Sequence, residues 1–89
     1  MVEKFESVFD AIGGSPGEAL NMRLRADMIL EIRKRIETED WTQTETAKLL
    51  SISQPRVSDL LNGKLSRFSL DALVNMLATL GGDIKLKVA

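Results

Sequence analysis

The chain has 89 residues, a formal net charge of −1 and 44% hydrophobic residues, with three Phe, one Trp and no Tyr. It contains neither Cys nor His, which excludes a disulfide framework, a thiol nucleophile, an imidazole base and the usual zinc ligands. What remains is one small domain near the lower limit for a self-sufficient core, for which subunit association would help.

The aliphatic-rich, aromatic-poor composition points to a small helical bundle. The 13 acidic residues are scattered and no Gly-rich phosphate loop is present, so neither an enzyme nor a cofactor is expected. No apolar run is long enough to span a bilayer, and no charged-then-apolar leader opens the chain. A cytoplasmic protein with no membrane partner is expected, in agreement with the lack of Cys. The near-neutral total hides segments. Residues 21–35 carry Arg23, Arg25, Arg33, Lys34 and Arg35 against Asp27 and Glu31. Residues 41–67 carry Lys48, Arg56, Lys64 and Arg67 against Glu45 and Asp59. Taken singly, each run is most simply a solvated helix face.

The opening, MVEKFESVFDAIGG, is expected to form an arm with a short helix begun by Ser7 and Asp10 and ended by Gly13 and Gly14. Val2 to Phe5 could add an edge strand. SPGE is a firmer start signal, with Ser15 as N-cap, Pro16 in the first turn and Glu18 as reciprocal partner. A long helix follows, with Leu20, Leu24, Met28, Ile32 and Ile36 four apart and Met22 and Ile29 beside them. Arg33, Lys34 and Arg35 lie towards its C-terminal end, where cations suit the helix dipole.

Thr42 and Glu45 make a second capping box and open a short helix to about Leu50, with Ala47, Leu49 and Leu50 inside. Ser51, Ile52 and Ser53 interrupt it. Ser53 caps the next helix, and Pro55 falls in the first turn, where a missing N–H costs little. That helix ends at Asn62 and Gly63. Ser69 with Asp71 starts a further helix striped by Leu70, Leu73, Val74, Leu77 and Leu80 and stopped by Gly81 and Gly82. The tail DIKLKV alternates Ile84, Leu86 and Val88 with Lys85 and Lys87, the pattern of a half-buried strand.

Two short capped helices joined by a tight turn describe a helix-turn-helix. The small Ala47 allows close approach, Ile52 plugs the turn, and Val57, Leu60 and Leu61 seat the second helix on the core. At about 100° per residue, Pro55, Asp59 and Asn62 then point away from that seat, with Arg56 and Ser58 on the flanks. A helix that enters the major groove N-terminus first needs a narrow, polar front with no backbone donor to satisfy. Pro55 meets that need and could touch a thymine methyl.

Thr42 to Lys64 resembles the helix-turn-helix of the phage-repressor or XRE family, including Gln43, Ala47, Gln54 and the closing Asn62-Gly63-Lys64. The whole chain is similar to small XRE-type antitoxins related to HigA, whose pattern recurs as SVFDA, LRADM, WTQTETA, QPRVSDLLNGK, FSLDALVNMLATLG and a final basic strand. Two positions depart from that pattern: Ser51, where Gly is frequent, and Thr46, where an apolar residue is usual. The resemblance implies that Gln43, Asn62 and Lys64, with Ser53 and Ser58 in support, hold DNA phosphates. It implies that Gln54 and Arg56 reach base edges, the glutamine on adenine and the arginine on guanine. Asp59 would either accept from a cytosine amine or hold Arg56 as an i, i+3 partner, and the second role is favoured because phosphates repel a bare carboxylate. Arg67 is ambiguous between a phosphate contact and a loop charge, and Trp41 is expected in the core.

The expected architecture is an all-α bundle of about five helices containing a helix-turn-helix, with a short C-terminal strand and an N-terminal one possible. Residues 1–89 form one domain: arm 1–14, helical core 15–81, helix-turn-helix 42–64 and strand 83–88. A single reader covers little DNA, so a homodimer on a two-fold-related operator is expected, with Leu70, Leu77, Ile84, Leu86 and Val88 as dimer or partner contacts. The expected function is sequence-specific repression. The resemblance adds an antitoxin role, with autoregulation of its operon and direct neutralisation of a RelE- or HigB-like ribonuclease toxin. The alternatives are a stand-alone XRE-type regulator without a toxin, or a protein-interaction module that no longer binds DNA.

Overall fold

Ser15 accepts the Glu18 amide on its hydroxyl at 3.1 Å, and helix α1 follows over Pro16–Glu39. The computed structural model describes residues 15–89. The expected arm and short helix at residues 1–14 lie outside the described residues. After α1 come α2 (Gln43–Leu50), α3 (Gln54–Leu61), a 3-10 turn (Leu65–Arg67) and α4 (Leu70–Thr79). The described residues thus hold four α-helices.

At 1.5 Å per residue, the 24 residues of α1 span about 36 Å, close to the longest dimension of the molecule, 38 Å. The helices that cover it are short: α4 has 10 residues and α3 has 8. They bury only the C-terminal half of the predicted stripe, Met28, Ile29, Ile32 and Ile36. Leu20 and Leu24, in the same four-spaced row, are 56% and 36% exposed. Of the apolar rows of α1, only the part from Met28 onward is therefore buried. The core is completed by Val57 and Leu60 of α3, Phe68, and Leu73, Met76, Leu77 and Leu80 of the last helix and its cap. Trp41, Leu50, Ile52 and Leu61 pack at its margin.

Every helix start carries its expected hydroxyl cap, Thr42, Ser53 and Ser69 each accepting a backbone N–H three residues on, but at Ser15 the reciprocal bond expected from Glu18 is not formed. The cations behave differently. Helix α1 runs past Arg33, Lys34 and Arg35 to Glu39, and no basic residue stands in its last turn. Arg35 instead reaches the Leu80 carbonyl at 3.5 Å, serving the end of α4. Gly82 closes that end, its amide donating to the Leu77 carbonyl at 2.8 Å. A Cβ there would stand 2.6 Å from Leu77 Cγ, so any larger residue would have to displace that buried side chain.

Two further expectations are corrected. In α2 the buried residue is Thr46, at 0% exposure, while Leu49 is 43% exposed. Helical rotation puts Leu50 between Thr46 and Ala47 on the inner side and swings Leu49 away. The tail forms no strand among the described residues. Leu86 and Val88 are each 82% exposed. Alternation suits a half-buried strand, but a strand also needs a neighbour for its backbone N–H and C=O groups, and no described segment runs alongside.

Candidate nucleic-acid interface

The two halves of the motif are locked at their N-termini. Thr42 and Glu45 form a complete capping box: the Glu45 amide donates to Thr42 Oγ1 at 3.1 Å, and the Thr42 amide donates to Glu45 Oε1 at 2.9 Å. The Thr42 backbone amide first, then the Thr42 hydroxyl, with Lys48 nearby, hold the Glu45 carboxyl below its ordinary value of 4.5. Thr46 buries its hydroxyl at no cost in unpaired groups, because Oγ1 donates to the Thr42 carbonyl at 2.9 Å. The turn passes through Ser51 in the left-handed region, φ 56°, where glycine is the easier residue.

Helix α3 opens on Ser53, whose Oγ accepts the Arg56 amide at 3.3 Å. The hydroxyl proton of Ser53 stays free to donate, since accepting uses only a lone pair. Val57 and Leu60, both fully buried, seat the helix. Gln54, Pro55 and Asn62 are exposed and Ser58 is half-buried. Gln54 Nε2 donates to Thr44 Oγ1 at 3.2 Å, bridging the starts of α2 and α3. Asn62 Nδ2 donates to Ser58 Oγ at 3.4 Å, and Gln43 is exposed at the front of α2. Gly63, which ends the helix, takes the left-handed conformation, φ 67°.

Arg56 is held, but not by Asp59. Its guanidinium lies 4.3 Å from the centroid of the Phe68 ring, and Nη1 donates to the Arg67 carbonyl at 2.6 Å. Asp59 pairs instead with Arg67 at 3.5 Å and Lys64 at 3.8 Å. The i, i+3 buttress predicted from spacing is thus replaced by partners that the chain reversal after α3 brings alongside. Sequence reasoning also missed Arg25. From α1 it donates to the carbonyls of Leu65 at 2.9 Å and Phe68 at 3.3 Å. Asn21 Oδ1 accepts from its Nε at 2.8 Å. Two arginines therefore satisfy three carbonyls of the link between α3 and α4. Neither Arg25 nor Phe68 stands at a helical spacing from its partner, so no local pattern could have marked either.

The helix-turn-helix domain family matches residues 9–89 of the sequence. The chain belongs to that family. This helix-turn-helix domain is similar to a solved structure of a protein named as an XRE-family transcriptional regulator, with 28% identity, 78% coverage of each chain and a TM-score of 0.71. No curated protein matches the sequence. Of the residues expected at a dimer contact, Leu77 is 5% exposed and belongs to the core of the helix-turn-helix domain itself. Leu70 packs half-buried against that core. Ile84, Leu86 and Val88 are exposed. Among the described residues, no helix is long and apolar enough to cross a membrane, and no group of His, Cys, Asp or Glu is placed to hold a metal.

Proposed function

We propose that this helix-turn-helix domain is a DNA-binding transcriptional regulator that lays α3 in the major groove. The observation that carries the reading is the seating of α3. Val57 and Leu60 are fully buried, which leaves a capped, proline-bearing N-terminus and the exposed Gln54 and Pro55 at its front. Gln54 and Arg56 read base edges and Pro55 contacts an apolar edge. Gln43, Ser53, Ser58, Asn62 and Lys64 hold phosphates, which position the protein without reading sequence. The stacking of Arg56 on Phe68 orders its side chain before DNA arrives, which lowers the entropy lost on binding.

The protein acts as a homodimer on a two-fold-related operator, its two α3 helices about 34 Å apart. The exposed Ile84, Leu86 and Val88 supply apolar surface for a partner. The similarity to HigA-related antitoxins supports a finer reading: autoregulation of its own operon and direct neutralisation of a RelE- or HigB-like ribonuclease toxin.

The test is fluorescence-anisotropy titration of the duplex immediately upstream of the gene against a shuffled duplex of equal composition. We expect wild type to prefer the native duplex, and Gln54→Ala to relax the choice at one base pair, with a discrimination loss of about 1–3 kcal/mol. Equal binding of both duplexes by wild type would sink sequence-specific reading. Co-expression with the adjacent gene product and co-purification tests the antitoxin role separately.

A further inference from the structure

The Asp59 carboxylate sits beneath two cations. Its side chain is 13% exposed, while those of Lys64 and Arg67 are 50% and 56% exposed. The two cations lie on the turn that follows the recognition helix, and that turn is itself fastened. Arg25 holds the Leu65 and Phe68 carbonyls, and Arg56 holds the Arg67 carbonyl. Asp59 therefore lies on a rigid helix and points at charges on a rigid turn, with no need of DNA to order either.

We propose that Asp59 is a specificity-determining residue that touches no base: its carboxylate is an internal counter-ion that restrains Lys64 and Arg67. The proposal rests on the DNA-binding reading above. A freely moving lysine or arginine finds a phosphate in almost any docking pose, so it strengthens binding to every duplex alike. A cation held to a fixed carboxylate reaches a phosphate only where the docked geometry brings that phosphate to it. Phosphate contacts of that kind reward the correct register and little else. The carboxylate also cancels one positive charge of the three supplied by Arg56, Lys64 and Arg67, which lowers the attraction to DNA of any sequence.

The experiment repeats the anisotropy titrations at several salt concentrations with Asp59→Asn, Arg67→Gln and the double variant. Asparagine keeps the shape of aspartate and removes only the charge. Asp59→Asn is expected to bind the shuffled duplex more tightly, with a log–log salt slope steeper by about one unit per freed cation. Its preference for the native duplex narrows accordingly. Arg67→Gln in the same chain reverses most of that gain, and alone it weakens the native duplex more than the shuffled one. Unchanged shuffled-duplex affinity and slope in Asp59→Asn overturn the inference while leaving the DNA-binding reading intact. So does relaxed choice at a single base pair, which would make Asp59 a base reader. Failure of wild type to bind either duplex at any salt overturns the DNA-binding reading, and this one with it.

Discussion

At Ser51 the backbone is left-handed, φ 56°, and its amide closes the end of α2 on the Lys48 carbonyl at 3.3 Å. A side chain in that region costs about 1–2 kcal/mol, and glycine avoids it at an entropic cost of about 0.5–1 kcal/mol. We expect Ser51→Gly to raise stability by up to about 1 kcal/mol, read as a higher urea midpoint at unchanged slope; a lower midpoint would show that the turn carries no strain. Arg56 is the more connected residue. Replacing it with Ala removes a charge-assisted bond to the Arg67 carbonyl and the stack on Phe68. A loss of about 1–3 kcal/mol in the same measurement is expected. Arg56→Lys should recover only part of it, because an ammonium cannot stack and donate in one plane. The type of Arg56 and its flank position were legible from sequence; its partners were not. Phe68 lies twelve residues on, and only the chain reversal through Gly63 brings it under the guanidinium.

Helices were legible wherever their ends carry chemistry. Ser15, Thr42, Ser53 and Ser69 each act as a cap, because the demand of a helix start for an acceptor is local and recurs in any fold. The box at α2 also sets a pH dependence. Glu45 titrates below 4.5 in the folded protein because the Thr42 amide and hydroxyl favour its charged form. A carboxyl depressed on folding contributes stability above its unfolded value, and that contribution is lost as pH falls through the folded value. Urea midpoints of wild type should therefore decline on acidification below about pH 4.5, and Glu45→Gln should flatten that decline. A parallel decline in both proteins would remove Glu45 from the acid transition. Which helix faces are covered was less legible. Leu20 and Leu24 match the spacing of Met28 and Ile32 but stay exposed, since burial depends on the length of the neighbours and not on the pattern of the helix itself.

For the whole molecule, the unresolved demand is apolar surface. Leu20, Leu30, Ile84, Leu86 and Val88 are each at least 48% exposed, and a bundle of this size is helped by association. With the tail as the dimer contact, wild type should sediment as a dimer and melt at a temperature that rises with concentration. A chain ending at Ile84 should sediment as a monomer with a concentration-independent melting temperature. A truncated chain that still dimerises would move the contact to another face, with the front of α1 the next apolar surface.

What the sequence determined by itself was set within a few residues of the backbone: caps, the left-handed Gly63, the proline-bearing front of α3 and the order of the helices. These depend on backbone hydrogen bonds and side-chain periodicity, which act over one or two turns. The tertiary structure alone decided the pairing of charges and the reach of the core. Arg25, Arg35 and Arg56 each end on a backbone carbonyl of another segment, and Asp59 ends on Lys64 and Arg67. A long flexible cation takes whichever acceptor the fold leaves within reach. That acceptor is chosen by chain reversal, in three dimensions, and has no signature along the chain.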